Sequence, residues 1–306
     1  QYRNWLIPME AELAVLKDIG YNIELKKYFG KSYYLNGITD TYTAGYSEWD
    51  GTQYTGNPST IEQGVGIHIY GNNNNITQAS DILTKGEGSF GVRIDGVKDT
   101  YTLKNGSKIN ADGKENIALG VTFGKNHKLN IEEGSKITAN GEDGIAASFD
   151  FGTNIFGIYT NQRGSYFDYD SVIGYTGAPN NEINDALVDE FNIAGKLEGK
   201  KAAIYISDNA HVKNINIQSG AEIEGDIISE WNSIHSGYNS KIQRLTPSGE
   251  YWDDVNPANP NEIYFTDINV ESDFTGIING NITGENEIYN TLKLNNEGDL
   301  TVSKAK

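Results

Sequence analysis

The residues best suited to acid–base or metal chemistry are four histidines, His68, His127, His211 and His235. No two stand at metal-ligand spacing, and there is no cysteine to join them. A Cys-ligated zinc, a thiol nucleophile and a disulfide scaffold are therefore excluded. Gly86-Glu-Gly88 reads as a turn, because it lacks the Lys-Ser/Thr that phosphate binding needs, and no Gly-x-Ser-x-Gly elbow occurs. The calcium-binding glycine-rich nonapeptide is absent as well. His68 falls at an outward position of an alternating strand and is expected to be a solvated surface histidine. Glycan cleavage would need carboxylates gathered on one face. Asp95, Asp150 and Asp208 come nearest to that, although acidic surface turns are the commoner explanation for such residues. Nothing in the chain calls for a cofactor or a metal.

Recognition chemistry is better represented. Tyr159, Tyr166, Phe167, Tyr169 and Tyr175 crowd one stretch, and Trp231, Tyr238, Tyr251 and Trp252 another. Tyr and Trp supply large amphipathic contact surfaces. Tyr166, Phe167, Tyr169, Trp231 and Trp252 are the candidate binding residues. The plainer reading is that these aromatics pin long loops to their support.

That support is set by self-similarity. Gly66-Ile-His-Ile-Tyr-Gly71, Gly91-Val-Arg-Ile-Asp-Gly96, Gly120-Val-Thr-Phe-Gly124 and Ala147-Ser-Phe-Asp-Phe-Gly152 are four versions of one strand, with closing glycines 25, 28 and 28 residues apart. Gly106-Ser-Lys-Ile109 returns as Gly134-Ser-Lys-Ile137, and Ala111-Asp-Gly113 as Ala139-Asn-Gly141, both shifted by 28. A period in the twenties with three alternating strands and no helix predicts an all-β, single-stranded parallel β-helix. Glycine and asparagine at its corners supply positive φ. Asn72 to Asn75, with Asp99, Asn126 and Asn209 at matching corners, suggest amide stacking there. Alternation places Ile94 and Phe123 inside, and Arg93 and Thr122 outside, where substitution should be nearly neutral.

The pattern pauses at about 153–199, where a short helix is expected near Ile183 to Phe191, and again at about 230–260. Pro8 to Gly20 reads as a helix with Met9, Leu13 and Leu16 as its apolar stripe and Gly20 as its stop. The expected organisation is a helical and irregular cap over 1–60, followed by a β-helix over 61–306 with two side insertions.

The run Gly64-Val-Gly-Ile-His-Ile-Tyr-Gly71 with its asparagine corner, Gly144-Ile-Ala-Ala-Ser-Phe-Asp-Phe-Gly152, Arg163-Gly-Ser-Tyr166 and Ala202-Ala-Ile-Tyr-Ile-Ser-Asp-Asn-Ala210 resemble passenger domains of autotransporter (type V secretion) proteins. The resemblance covers most of residues 9 to 230. It implies an exported β-helix at the bacterial cell surface, with a translocator barrel outside this chain. The lack of cysteine suits such a route. Glu12 to Tyr21 also resembles the final helix of metzincin-type metalloproteases, whose His-Glu-x-x-His helix is absent here.

Charge narrows the partners. With 24 Lys plus Arg against 42 Asp plus Glu, the 306 residues carry a net charge of −18, which repels nucleic acid and anionic membranes. The expected function is a non-catalytic adhesin or surface-display scaffold whose partner is a host glycoprotein, a glycan or a neighbouring cell. The alternatives are a secreted polysaccharide-active β-helix enzyme and an accessory stalk C-terminal to a metalloprotease-like domain.

Overall fold

The computed structural model describes residues 9–150, 186–207, 210–231, 241–245, 251–255, 266–272, 274–284 and 292–296. The chain is a parallel β-helix with three long sheets. The first sheet stacks eight strands in the order Phe29–Tyr33, Val65–Ile69, Phe90–Ile94, Ile117–Val121, Ile145–Phe149, Ala202–Ile206, Ile227–Ser229 and Ile282–Gly284. The second stacks Thr39–Tyr42, Asn75–Gln78, Thr100–Leu103, His127–Ile131, Val188–Ile193, Val212–Ile217, Thr266–Val270 and Leu292–Asn296. The third contains six strands, from Ile82–Thr84 through Lys108–Ala111, Lys136–Ala139, Lys196–Gly199 and Glu222–Glu224 to Ile277–Asn279. Every pairing in these sheets is parallel, so each residue lies beside its equivalent one turn away, about 4.8 Å along the axis.

Alternation builds the interior. Ile67, Val92, Leu119, Ala147 and Ile204 form one inward column of the first sheet, and Ile69, Ile94, Val121, Phe149 and Ile206 another. Tyr101, Leu129, Phe191 and Ile215 line the second sheet, and Ile109, Ile137, Leu197 and Ile223 the third. All are essentially fully buried, as is the expected inward Phe123. Burying such side chains contributes about 1.5–3 kcal/mol each. The repeated segments ending at Ile109 and Ile137 run into the strands Lys108–Ala111 and Lys136–Ala139.

The β-helix starts earlier than expected. Phe29–Tyr33 and Thr39–Tyr42 already belong to the first and second sheets, so the boundary at 60 is misplaced. Aromatic residues replace the aliphatic alternation there: Tyr33, Tyr42 and Tyr46 fill the core of this first turn. Before it, Glu10–Asp18 is helical. The Met9 amide donates to the Glu12 carboxylate (2.8 Å) at its start. At its end Gly20 (φ +105°) lets the Gly20 and Tyr21 amides return to the carbonyls of Lys17 and Leu16. Leu13 packs on the outside of the first sheet against a cluster that includes Phe29 and Val65. No residue of the helix is fully buried.

Both insertions also differ from expectation in extent. Val188–Ile193 and Lys196–Gly199 are regular strands, so the repeat resumes before 199, and the helix expected near Ile183 to Phe191 is overturned from Val188 onward. Within the second insertion, Lys241–Leu245 and Tyr251–Val255 pair as an antiparallel hairpin separate from the three sheets. Both insertions leave the first sheet, after Phe149 and after Ser229, and return to the second, at Val188 and at Thr266. They therefore arise from the same edge of the β-helix, two turns apart, which is roughly 10 Å along the axis.

Candidate functional site

The corner between the first and second sheets is where the insertions emerge, and its short versions share one design. Gly71, Gly96 and Gly124 open them, Asn73, Lys98 and Asn126 take positive φ of 57–58°, and Asn74, Asp99 and His127 close them. The closing side chain folds back over the opening glycine. A Cβ on Gly96 would lie 2.2 Å from Asp99 Oδ2 and 2.0 Å from the Gly71 carbonyl oxygen, so no larger residue fits. Amide stacking is not what holds Asn72 to Asn75. Asn72 Oδ1 accepts from the Val97 amide (2.9 Å), and Asn74 Oδ1 from the Ile38 amide (2.7 Å). Asn209 lies outside the described residues.

Asp99 and His127 are fully buried at this corner. The Asn74 amide donates to Asp99 Oδ1 (2.8 Å), and the Asp99 amide donates to His127 Nδ1 (3.2 Å). His127 Nε2 donates to the Phe123 carbonyl (3.0 Å), which fixes the neutral tautomer. Burial pushes the Asp99 carboxyl up to about 7 and, against its hydrogen bonds to backbone, pulls His127 down to about 4.

A second polar group lies on the outer side of the first sheet. His68 Nε2 meets Asp95 Oδ2 at 2.7 Å and Arg93 Nε meets the same oxygen at 2.9 Å. Thr122 Oγ1 donates to Asp95 Oδ1 and accepts from Arg93 Nε (3.0 Å). The Tyr70 ring covers His68, with centroids 3.6 Å apart, and Tyr34 stacks on Tyr70 at 5.1 Å. The expected surface positions of His68, Arg93 and Thr122 are thus overturned: they are 1%, 5% and 2% exposed. Alternation gives the side of the strand correctly but not the depth of cover. With a histidine, a guanidinium and a hydroxyl converging on it, Asp95 braces three successive turns. Asp150, the next acidic position along that row, is partly buried, and Asp208 lies outside the described residues.

An amide ladder does exist, on the outer face of the second sheet. Asn192 donates to Asn130 (2.9 Å), Asn216 to Asn192 (2.7 Å) and Asn269 to Asn216 (2.9 Å), while Asn130 donates to Thr102 (3.3 Å). Sequence reasoning missed it, although the apolar-Asn-apolar triplets at Leu129 to Ile131, Phe191 to Ile193, Ile215 to Ile217 and Ile268 to Val270 were its signal.

Of the candidate binding residues, Tyr166, Phe167 and Tyr169 lie outside the described residues. Trp252 sits in the hairpin opposite Arg244. Trp231 is 2% exposed and joins the core with its ring stacked on His211 at 4.9 Å, so it offers no contact surface. Trp231 follows the strand Ile227–Ser229 by two residues and turns into the core at the very start of the second insertion. Among the described residues, no group of three or more His, Asp or Glu side chains could hold a metal ion, and no helix is long and apolar enough to cross a membrane. The chain matches no family model, no curated protein and no solved structure.

Proposed function

We propose that the chain is a non-catalytic, extracellular rod of a bacterial surface protein, an autotransporter-like passenger segment that presents loops to a partner as an adhesin or display scaffold. The observation that carries this reading is the common edge. Two long insertions leave a rigid β-helix from one corner, two turns apart; the first is rich in Tyr and Phe, and the second carries Tyr and Trp. Surfaces of that composition on a fixed support suit recognition of a glycoprotein, a glycan or a neighbouring cell. The buried state of Asp95 and its three partners argues for a structural role for this carboxylate rather than glycan cleavage.

The test is adhesion of beads carrying the whole chain to host glycoproteins, glycan arrays and cells. Tyr166→Ala with Phe167→Ala should reduce attachment at least several-fold while the far-UV β spectrum is kept. Trp252→Ala tests the second insertion in the same way. Unchanged attachment in both variants would overturn the loop reading. Release of reducing sugar from a panel of acidic and neutral glycans would replace it with the enzymatic alternative.

A further inference from the structure

Asp99 and His127 sit at the root of the first insertion. The Asn126 and His127 amides donate to the carbonyls of Ala186 and Leu187 (2.7 and 3.1 Å), so this corner holds the chain where it re-enters the β-helix. Asp99 Oδ2 has no hydrogen-bond partner among the described residues and lies 3.7 Å from His127 Nδ1. An ionised carboxylate would face a ring nitrogen that already presents its lone pair to the Asp99 amide. A protonated imidazole would set Nδ1–H against that same amide. The geometry therefore favours the uncharged form of both side chains.

The groups around the pair do not change that outcome. On the first sheet, Asp95 acts on His127 but is itself paired with Arg93 and His68. On the second sheet, the inward neighbour Tyr101 is held protonated by burial, and the exposed Lys128 pairs with Glu190. Asp189 accepts from Asn126 at the corner's rim. The third sheet turns Ile82, Ile109 and Ile137 toward the core. Lys98 and Lys125 belong to the turns themselves.

We propose that Asp99 and His127 form a compensating pair, whose opposed proton preferences keep the anchorage of the first insertion steady through mild acidification. The signs follow from linkage. Folding raises Asp99 from 3.8 to about 7, so its contribution is full below pH 3.8 and is lost as pH rises toward 7. Folding lowers His127 from 6.5 to about 4, so its contribution is full above pH 6.5 and is lost as pH falls toward 4. Between about pH 4 and 6.5 one group gains what the other loses, and the pair as a whole neither takes up nor releases a proton on unfolding.

Urea unfolding of the whole chain, D99N and H127Q at several pH values between about 4.5 and 6.5 tests this. Relative to the parent, D99N should lose stability on acidification, approaching tenfold in the unfolding constant per pH unit, and H127Q should gain by a similar factor. Three parallel stability curves would overturn the proposal. Should either variant fail to fold, carboxyl-carbon and imidazole NMR of the parent decides. At about pH 6, a neutral Asp99 beside a neutral His127 supports the pair, and an ionised Asp99 or a protonated His127 overturns it.

Discussion

Arg93 shows how far a single residue can be read from sequence. Its alternation with Val92 and Ile94 gives its direction, out of the core, and that direction is correct. Its environment joins neighbours in its own turn to a residue of the next turn. Thr122 and Asp95 wait for its guanidinium, and the Phe90 ring lies 5.8 Å beneath it. No local pattern announces that cover, because Thr122 and His68 meet Asp95 and close the group only when successive turns stack. Arg93→Ala is accordingly expected to destabilise by about 3–5 kcal/mol, as removal of one partner of a buried ion pair does. Lys128→Ala, whose ion pair with Glu190 is exposed, should stay within about 0.5 kcal/mol. Urea midpoints of the two variants check this, and similar midpoints would return Arg93 to the surface.

Among the elements, the strands between Val65 and Phe149 were legible because two independent markers kept one 28-residue shift. The first turn was not, because tyrosines stand where the pattern leads one to expect isoleucine and valine. The positive-φ corner positions were partly hidden too. Asn73 and Asn126 suit that conformation, whereas Lys98 and Glu115 adopt it with no signal in their type. The asparagine ladder was obscured by the first insertion, which parts Asn130 from Asn192 by 62 residues. In the fold they are neighbours, and each amide both donates and accepts. Asn216→Ala removes the bonds to Asn192 and from Asn269. A loss of about 1–2 kcal/mol is expected from two net hydrogen bonds on a partly exposed face. An unchanged urea midpoint would mean that water replaces the ladder at no cost.

At the scale of the molecule, each turn of the β-helix touches only its neighbours, so stability is close to a sum of turn and interface contributions. The position of a defect along the axis should then matter as much as its chemistry. Leu119 packs in mid-stack, in register with Val92 on one side and Ala147 on the other. Tyr33 is equally part of the core but belongs to the first turn, with Ile69 as its only strand partner among the described residues. Leu119→Ala is expected to cost about 2–5 kcal/mol. It should speed amide exchange in the turns on both sides, because opening there interrupts the stack. Tyr33→Ala should speed exchange in Phe29–Tyr42 and leave Ile117–Val121 as protected as before. Such a pattern would show that the first turn frays independently while the middle carries the rod. Uniform acceleration in both variants would instead mean that all turns unfold as one cooperative unit, and the insertions would then lose their support together rather than one at a time.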